Sequence, residues 1–444
     1  MSDVYLASNI LLFPDEILHE ILLRSPGKSV VRCSAVCKSW NSLVNSFIRH
    51  PHTRFPSNHH DDDDDVQLLF LQVYEPYKIH VKRRVHYVLH RDDSARDEHT
   101  KLTSPFVAYN NTRTCPAKKK VLDGDVDVVG TCNGLVCMVP HDDDDGGIDF
   151  AAIIWNPYIR KLVVLPKPGL AVAKNIKGIR YAFGYDSCTN DYKVLRCVNY
   201  KSLRNDDKTL KFSNYVSFRK PPTFHVEIWS LATGSWKSLI AADDDDIIPA
   251  NFYPELFTRS RVVCVNGALH WLQTRRHLNG VSELSEYLVA WFDMAKEIFG
   301  ETMVPEALRK KLHFQSGREW FISRYRETIA LVKIRNYRFP RGDCVQIWVM
   351  EEYGVAASWA KLFTVQLQNV FVLAPLSLKN SGVLGFRKNG EVVLRDVGDG
   401  VRLLDPKSEQ VSDFLIDGSC CCLNFVDSFV GSFVLYCQPN AISY

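Results

Sequence analysis

Several groupings in this chain have the residue types that chemistry needs, and each lacks the spacing. Gly27-Lys28-Ser29 matches the end of a phosphate-cradling loop, but the glycine needed five residues earlier is Leu22. The segment also follows a helical pattern rather than a strand. His19-Glu20 opens a zinc-protease motif, yet Leu23 stands where the second histidine must be. Cys420, Cys421 and Cys422 are adjacent, whereas zinc knuckles separate their cysteines by a few residues. Neighbours on a strand point to opposite faces, so three in a row do not converge on one ion. His50, His52, His59 and His60 read as exposed linker histidines. The aspartate runs 61–65, 142–145 and 243–246 lack the alternating ligands and turn glycine of a calcium loop. They read as solvated acidic loops, the first of them a linker. Neither a G-x-S-x-G nucleophile elbow nor a glycine-rich dinucleotide loop is present. The chain is therefore expected to be non-catalytic, with no metal and no cofactor.

Composition narrows the class further. The 444 residues are too many for one ordinary domain and suggest a small unit joined to a large one. Apolar residues at 46% and charged residues at 24% are the balance of a soluble globular protein. Aromatics at 11% lean towards β structure, because such side chains pack well on a pleated surface. A net charge of +3 gives no nucleic-acid footprint, which needs clustered lysine and arginine. No basic segment leads into an apolar run near residue 1, so no export signal is read. The apolar stretch from Cys420 to Cys437 contains Asn424 and Asp427, each costly in lipid, and reads as two strands rather than a membrane span. A cytoplasmic or nuclear setting follows as the expectation, with the 13 cysteines reduced.

Residues 13–47 read as helices. Pro14 suits a helix start, and Asp15 and Glu16 place negative charge against the positive end of its dipole. Ile17, Leu18, Ile21 and Leu22 then form one apolar stripe, and Ser25-Pro26-Gly27 stops it. Ser29 reads as the N-cap of a second pattern, with Val30, Cys33, Val36, Cys37, Trp40, Leu43 and Val44 on one face. A unit of about 40 residues buries too little apolar surface to stand alone. It needs a partner, either the rest of the chain or another protein.

From Val66 onward short strands alternate with turn signals, and two elements recur. One is Asn-Gly before an apolar strand, at Asn133-Gly134, Asn266-Gly267 and Asn389-Gly390, the dipeptide of tight hairpins. The other is a strand carrying Trp near its end: Ile153-Ile154-Trp155-Asn156-Pro157, Ile228-Trp229-Ser230, Ala290-Trp291-Phe292-Asp293 and Ile347-Trp348. Val401-Arg402-Leu403-Leu404-Asp405 is a degenerate fifth copy. Five or six such units suit the radial blades of a β-propeller, which leaves few bare edges. A β-sandwich with long insertions is the structural alternative. The tryptophans read as packing anchors. The stretches 199–224, 241–260 and 273–287 read as long loops on which a binding surface is expected.

Two resemblances rest on these residues. Phe13-Pro14-Asp15-Glu16-Ile17-Leu18, Ile21-Leu22, Pro26-Gly27-Lys28-Ser29-Val30 and Val36-Cys37-Lys38-Ser39-Trp40 resemble the plant F-box pattern, with Phe13 and Ser25 standing where that pattern has leucine. Gly130-Thr131-Cys132-Asn133-Gly134, Trp155-Asn156-Pro157, Phe183-Gly184-Tyr185-Asp186 and Ile347-Trp348-Val349-Met350 resemble the F-box-associated, kelch-like domain of the same proteins, without the usual kelch double glycine. The implied fold is a small all-α F-box of about three helices at 9–55, an acidic linker at 56–65 and an all-β, kelch-like propeller at 66–444. The implied role is substrate recognition in a Skp–cullin–F-box ubiquitin ligase. The F-box would dock on a Skp-type adaptor and, through it, on cullin and a ring-box protein, while the β domain would hold an unknown protein client. The residues the resemblance assigns to the adaptor interface are Phe13, Pro14, Ile17, Leu18, Ile21, Leu22, Pro26, Val30, Val36, Cys37, Trp40 and Leu43, some of which must instead form the F-box's own core. The alternative function is a ligase-independent scaffold or glycan-binding module.

Overall fold

The computed structural model describes residues 14–25, 27–49, 68–74, 85–91, 99–110, 126–140, 152–168, 176–200, 224–240, 261–279, 282–305, 308, 320–335, 344–367, 382–395, 400–416, 419–420 and 422–444. The aspartate runs, the linker histidines, Phe13 and Pro26 lie outside them.

Helices come first: α1 (Asp15–Leu23), α2 (Gly27–Cys33) and α3 (Lys38–Arg49). Pro14 precedes α1 with φ −54° and gives up no hydrogen bond there, because the first N–H groups of a helix have no partner in any case. The second pattern is two helices rather than one. Ala35 N donates to Arg32 O and Val36 N to Cys33 O, closing α2 in a tight turn, and Ser34 Oγ donates to Val31 O. α2 starts two residues before Ser29, which is therefore not its cap. The break turns Val36 and Cys37 outward.

Among the described residues the β region forms six antiparallel sheets of four or five strands, each one blade. Blade II spans 126–164, blade III 176–240, blade IV 263–303, blade V 320–366 and blade VI 383–413. Blade I joins the two ends of the domain. Its inner strand, Cys422–Phe429, pairs with Leu68–Tyr74, and 85–91 and 99–101 follow outward. The inner strands touch in sequence around the axis and close on themselves. Only closure removes the two bare edges of an open sheet. A further pair, Leu415–Ile416 with Ser419–Cys420, lies between blades VI and I, and Ile442–Ser443 adds a fifth strand to blade II. The stretch after Phe429 is thus a tail folded against blade II, not the second strand expected from its hydropathy.

Each blade is buried on both faces, so its central strands read as continuous apolar runs rather than alternating ones. Ile153–Asn156 is buried at every residue. Trp155, Trp229 and Trp271 are fully buried anchors between blades. In blade IV the equivalent anchor is Phe292, and Trp291 sits half-buried one residue earlier, flat against Gly300 on the neighbouring strand. A Cβ at Gly300 would lie 2.1 Å from the indole. Gly300→Ala is expected to cost about 1–3 kcal/mol by overpacking, seen as an earlier urea midpoint, with little change on Trp291→Ala in the same background.

The turns repeat as well. Asn156, Asp186 and Asp293 each accept, through Oδ1, the backbone N–H groups two and three residues on. The next residue, Arg160, Asn190 or Glu297, has a positive φ that starts the return strand. Asp405 and Ser230 use shortened versions of the same device. Asn133-Gly134 and Asn266-Gly267 have positive φ at both positions, as a tight hairpin needs. Asn389-Gly390 departs: only Gly390 is positive, and the loop is closed from Arg387 N to Glu391 O.

Ionic links join neighbouring blades. Lys193 Nζ, almost fully buried, reaches Asp186 Oδ2 at 3.0 Å, Glu297 Oε1 at 3.1 Å and Met294 O at 2.8 Å, tying blade III to blade IV. Burial opposes charge on all three side chains, yet hydrogen bonds win: Asp186 and Glu297 raise Lys193, Thr189 and then Lys193 hold Asp186 below the usual carboxylate range, and Lys237 and then Lys193 do the same for Glu297. His270 of blade IV bonds Tyr353 Oη of blade V through Nε2 at 3.0 Å. Burial lowers its pKa to about 4 from an ordinary 6.5. The unfolded chain therefore takes up a proton that the fold refuses, so the contribution is complete above 6.5 and is lost as pH falls towards 4. At about 1.4 kcal/mol per pKa unit the ceiling is about 3 kcal/mol. Urea unfolding at pH 7 and pH 4.5 should show this loss in the wild type and a flatter profile in His270→Phe.

Candidate docking face

The helical unit sits on the propeller by one face. Leu22, Val30 and Val44, all essentially inaccessible, share a core with Ile159 from a blade II turn and Phe433 from the tail. Trp40, Leu43, Tyr158 and Tyr436 flank that core half-buried. Tyr158 and Phe433 meet edge to face at 5.9 Å between ring centres, and Cys437 Sγ lies 3.6 Å from Asn45 Oδ1. The partner that a unit of about 40 residues needs is thus, in part, its own chain.

Asn156 builds this seat. Its Oδ1 accepts the N–H groups of Tyr158 and Ile159, which shapes the turn. Its Nδ2 donates to Ser432 O at 2.9 Å and to Val434 O at 2.7 Å, which pins the tail beside that turn. One buried amide therefore fixes both apolar walls. Lys161 Nζ adds a bond of 2.6 Å to Tyr436 O. Gly431 lets the tail pass close to Tyr158, whose ring would lie 3.0 Å from any Cβ there.

Apolar side chains of the same unit also reach solvent. Ile17 and Ile21, one helical turn apart on α1, are 46% and 48% exposed, and Val36 is 64% exposed. Pro14 and Cys37 are exposed as well. Among the described residues only seven large apolar side chains are exposed, and three of them are on this small unit. Isolated exposed apolar residues are ordinary, but neighbours such as Ile17 and Ile21 make α1 a candidate interaction surface. The residues named from the sequence thus divide. Pro14, Ile17, Ile21, Val36 and Cys37 face solvent. Leu18, Leu22 and Val30 are buried, and Trp40 and Leu43 are half-buried against the seat.

On the propeller side, 201–223 and 241–260 lie outside the described residues. The third expected loop is a β-hairpin. Ala268–Asn279 pairs with Ser282–Asp293 along its whole length, so 274–279 and 282–287 form a two-stranded ribbon running past the other strands of blade IV. The missed signal is Gly280, first in the two-residue gap between the paired residues Asn279 and Ser282. At the axis, the Arg261 guanidinium donates to Leu384 O of blade VI and Val426 O of blade I, and lies 4.9 Å over the Phe425 ring. Blades IV and I are opposite in a ring of six, so this cation crosses the centre. Among the described residues no three His, Cys, Asp or Glu side chains gather as metal ligands, and no helix is long and apolar enough to cross a membrane.

Comparison with known proteins agrees with this division into helices and blades. A model of the F-box domain matches residues 10–52, and a model of the F-box associated beta propeller domain matches residues 84–397. An F-box/kelch-repeat protein of Arabidopsis thaliana is 25% identical, covering 90% of this chain and 91% of that one. The Arabidopsis F-box protein CPR1 is 26% identical over 96% of this chain and 90% of its own.

Proposed function

The chain belongs to the F-box associated beta propeller family, and from that premise we propose that it is the substrate-recognition subunit of a Skp–cullin–F-box ubiquitin ligase. It is an F-box protein of the substrate-adaptor type, carrying an F-box and a propeller on one chain. The observation that carries the finer reading is the exposure of Ile17, Ile21 and Val36 on a unit whose Leu22, Val30 and Val44 are already packed against the propeller. Those exposed side chains dock on a Skp-type adaptor, which brings cullin and the ring-box protein. Catalysis then belongs to the ring protein and its conjugating enzyme, so no nucleophile is required of this chain. The propeller holds a protein client, and the complex works in the cytoplasm or nucleus.

Reconstitution tests this reading. With Skp-type adaptor, cullin, ring-box protein, activating and conjugating enzymes and ubiquitin, the full chain should enter the complex and support ubiquitin transfer to itself or to a bound client. Transfer at the same rate without this chain, or its absence from the assembled complex on gel filtration, would refute the reading.

A further inference from the structure

The helices and the propeller share one core, and the sharing fixes where the helices stand. Each helix places a residue in it: Leu22 from α1, Val30 from α2 and Val44 from α3, against Ile159 of blade II and Phe433 of the tail. Among the described residues the helices enter no other cluster of buried apolar side chains. The helical unit therefore cannot swing away from blade II without opening the core that its three helices share. Covalent connection alone would not hold it there, since the chain from Arg49 to Leu68 can span roughly 60 Å when drawn out.

The tail that supplies Phe433 is itself held from both ends. It leaves the inner strand of blade I after Phe429, and Ile442–Ser443 pairs with the outer strand of blade II. Tyr444 N donates to Arg160 O, and Tyr444 Oη donates to Thr103 O. Between these ends Leu435 has φ 78°, a left-handed conformation that a bulky side chain rarely adopts. Leu435 is buried among residues of blades II and III, two positions after Phe433 enters the helical core. One short segment is thus anchored in two cores at once, with the Asn156 bonds to Ser432 O and Val434 O on either side of Phe433. Strain of this kind persists only where the surroundings over-determine it.

We propose that this seat sets the direction from which ubiquitin reaches the propeller, with Asn156 and Phe433 as positioning residues for the transfer. The inference rests on the ligase reading above. The adaptor holds the helices through Ile17, Ile21 and Val36, and the seat passes that orientation on to the propeller. In the transfer step a lysine Nζ, as the free amine, attacks the carbonyl carbon of the thioester that joins ubiquitin to the conjugating enzyme's cysteine. The C–S bond breaks, the sulfur leaves as thiolate, and the nitrogen loses a proton to solvent as the amide bond forms. A fixed seat presents the same few lysines to the thioester at every encounter, and a misplacement of about 1 Å can already cost about a hundredfold in rate. A loosened seat spreads the encounters over more lysines and lowers the effective concentration of each.

The test is mass-spectrometric mapping of modified lysines in the reconstituted ligase, with the full chain as its own acceptor. Wild type, Asn156→Asp and Phe433→Ala are compared. Asn156→Asp keeps the turn, and Phe433→Ala leaves Asn156 intact, so one variant serves if the other fails to fold. In the wild type, modification should concentrate on a few lysines on one side of the ring. In either variant the set should widen, and the initial rate at the wild-type sites should fall at least about tenfold. Adaptor affinity, measured by calorimetry, should stay unchanged, and Phe433→Leu, which refills the wall, should map like the wild type. The same lysines modified at the same rates in all chains would overturn the proposal. So would loss of adaptor affinity in the variants, because the seat would then build the docking surface instead of orienting it. A wild-type chain that does not bind the adaptor refutes the ligase reading itself, and that result is seen before any lysine is mapped.

Discussion

Replacing Ile17 and Ile21 together with aspartate should abolish binding to a Skp-type adaptor while leaving the melting temperature within a degree or two. Both side chains are about half exposed and one helical turn apart, and neither belongs to the core that seats the helices. Exposed substitutions of this kind usually change stability by less than about 0.5 kcal/mol. In the proposed complex the same positions would lie at an apolar contact, where central residues typically contribute about 2 kcal/mol each. Two such losses amount to roughly a thousandfold in affinity, before the added cost of burying two carboxylates. Leu18→Ala is the control. Leu18 is only 7% exposed, so its truncation should destabilise the F-box by about 2–5 kcal/mol. Binding would then fall through unfolding. Circular dichroism beside calorimetry separates the two cases. A double aspartate variant that binds like the wild type would place the docking surface elsewhere.

The second large effect is expected at Asn156. Its fully buried amide accepts two backbone N–H groups and donates to two carbonyl oxygens. At about 1 kcal/mol for each bond, plus the cost of leaving buried backbone groups unpaired, Asn156→Ala should lose about 4 kcal/mol or more. Asn156→Asp is more selective. The carboxylate still accepts from Tyr158 and Ile159 and keeps the turn, but has nothing to donate to Ser432 and Val434. The tail should lift, and with it the wall that Phe433 provides for the helices. Hydrogen exchange should then speed up in α2, α3 and 432–437 and stay slow in the inner strands. Uniform acceleration across the whole chain would show that Asn156 supports the propeller at large rather than the seat.

The sequence carries some of this fold openly. Asn133-Gly134 and Asn266-Gly267 announced hairpins by their need for positive φ, and they are hairpins. Trp155 and Trp229 announced anchors by recurring before an Asn or Ser turn, and they are buried. Blade IV was harder because Trp291 stands next to Phe292, and only the three-dimensional register shows which of the two points into the blade. The ribbon 274–287 was hidden by its polarity. Thr274, Arg275, Arg276 and His277 read as a loop, since four polar residues in a row show no strand alternation.

The candidate site was legible as a set but not as two faces. Ile17 and Leu18 are neighbours of the same character, yet one is open and the other closed. The core that α1 joins through Leu22 takes in Ile159 and Phe433, which lie far along the chain and carry no pattern that points to α1. Trp40 and Leu43 fit an adaptor interface by order alone, and the propeller half-covers them.

Calorimetric titration of a purified Skp-type adaptor into the full chain tests the central claim most directly. The account predicts a one-to-one complex with a dissociation constant of about 1 μM or tighter, equivalent to about −8 kcal/mol. Val36→Asp, the most exposed apolar side chain of the docking face at 64%, should weaken it at least tenfold without changing the melting temperature. Absence of binding heat at several temperatures, together with no shared peak on gel filtration, would contradict the assignment of this chain to a ubiquitin ligase.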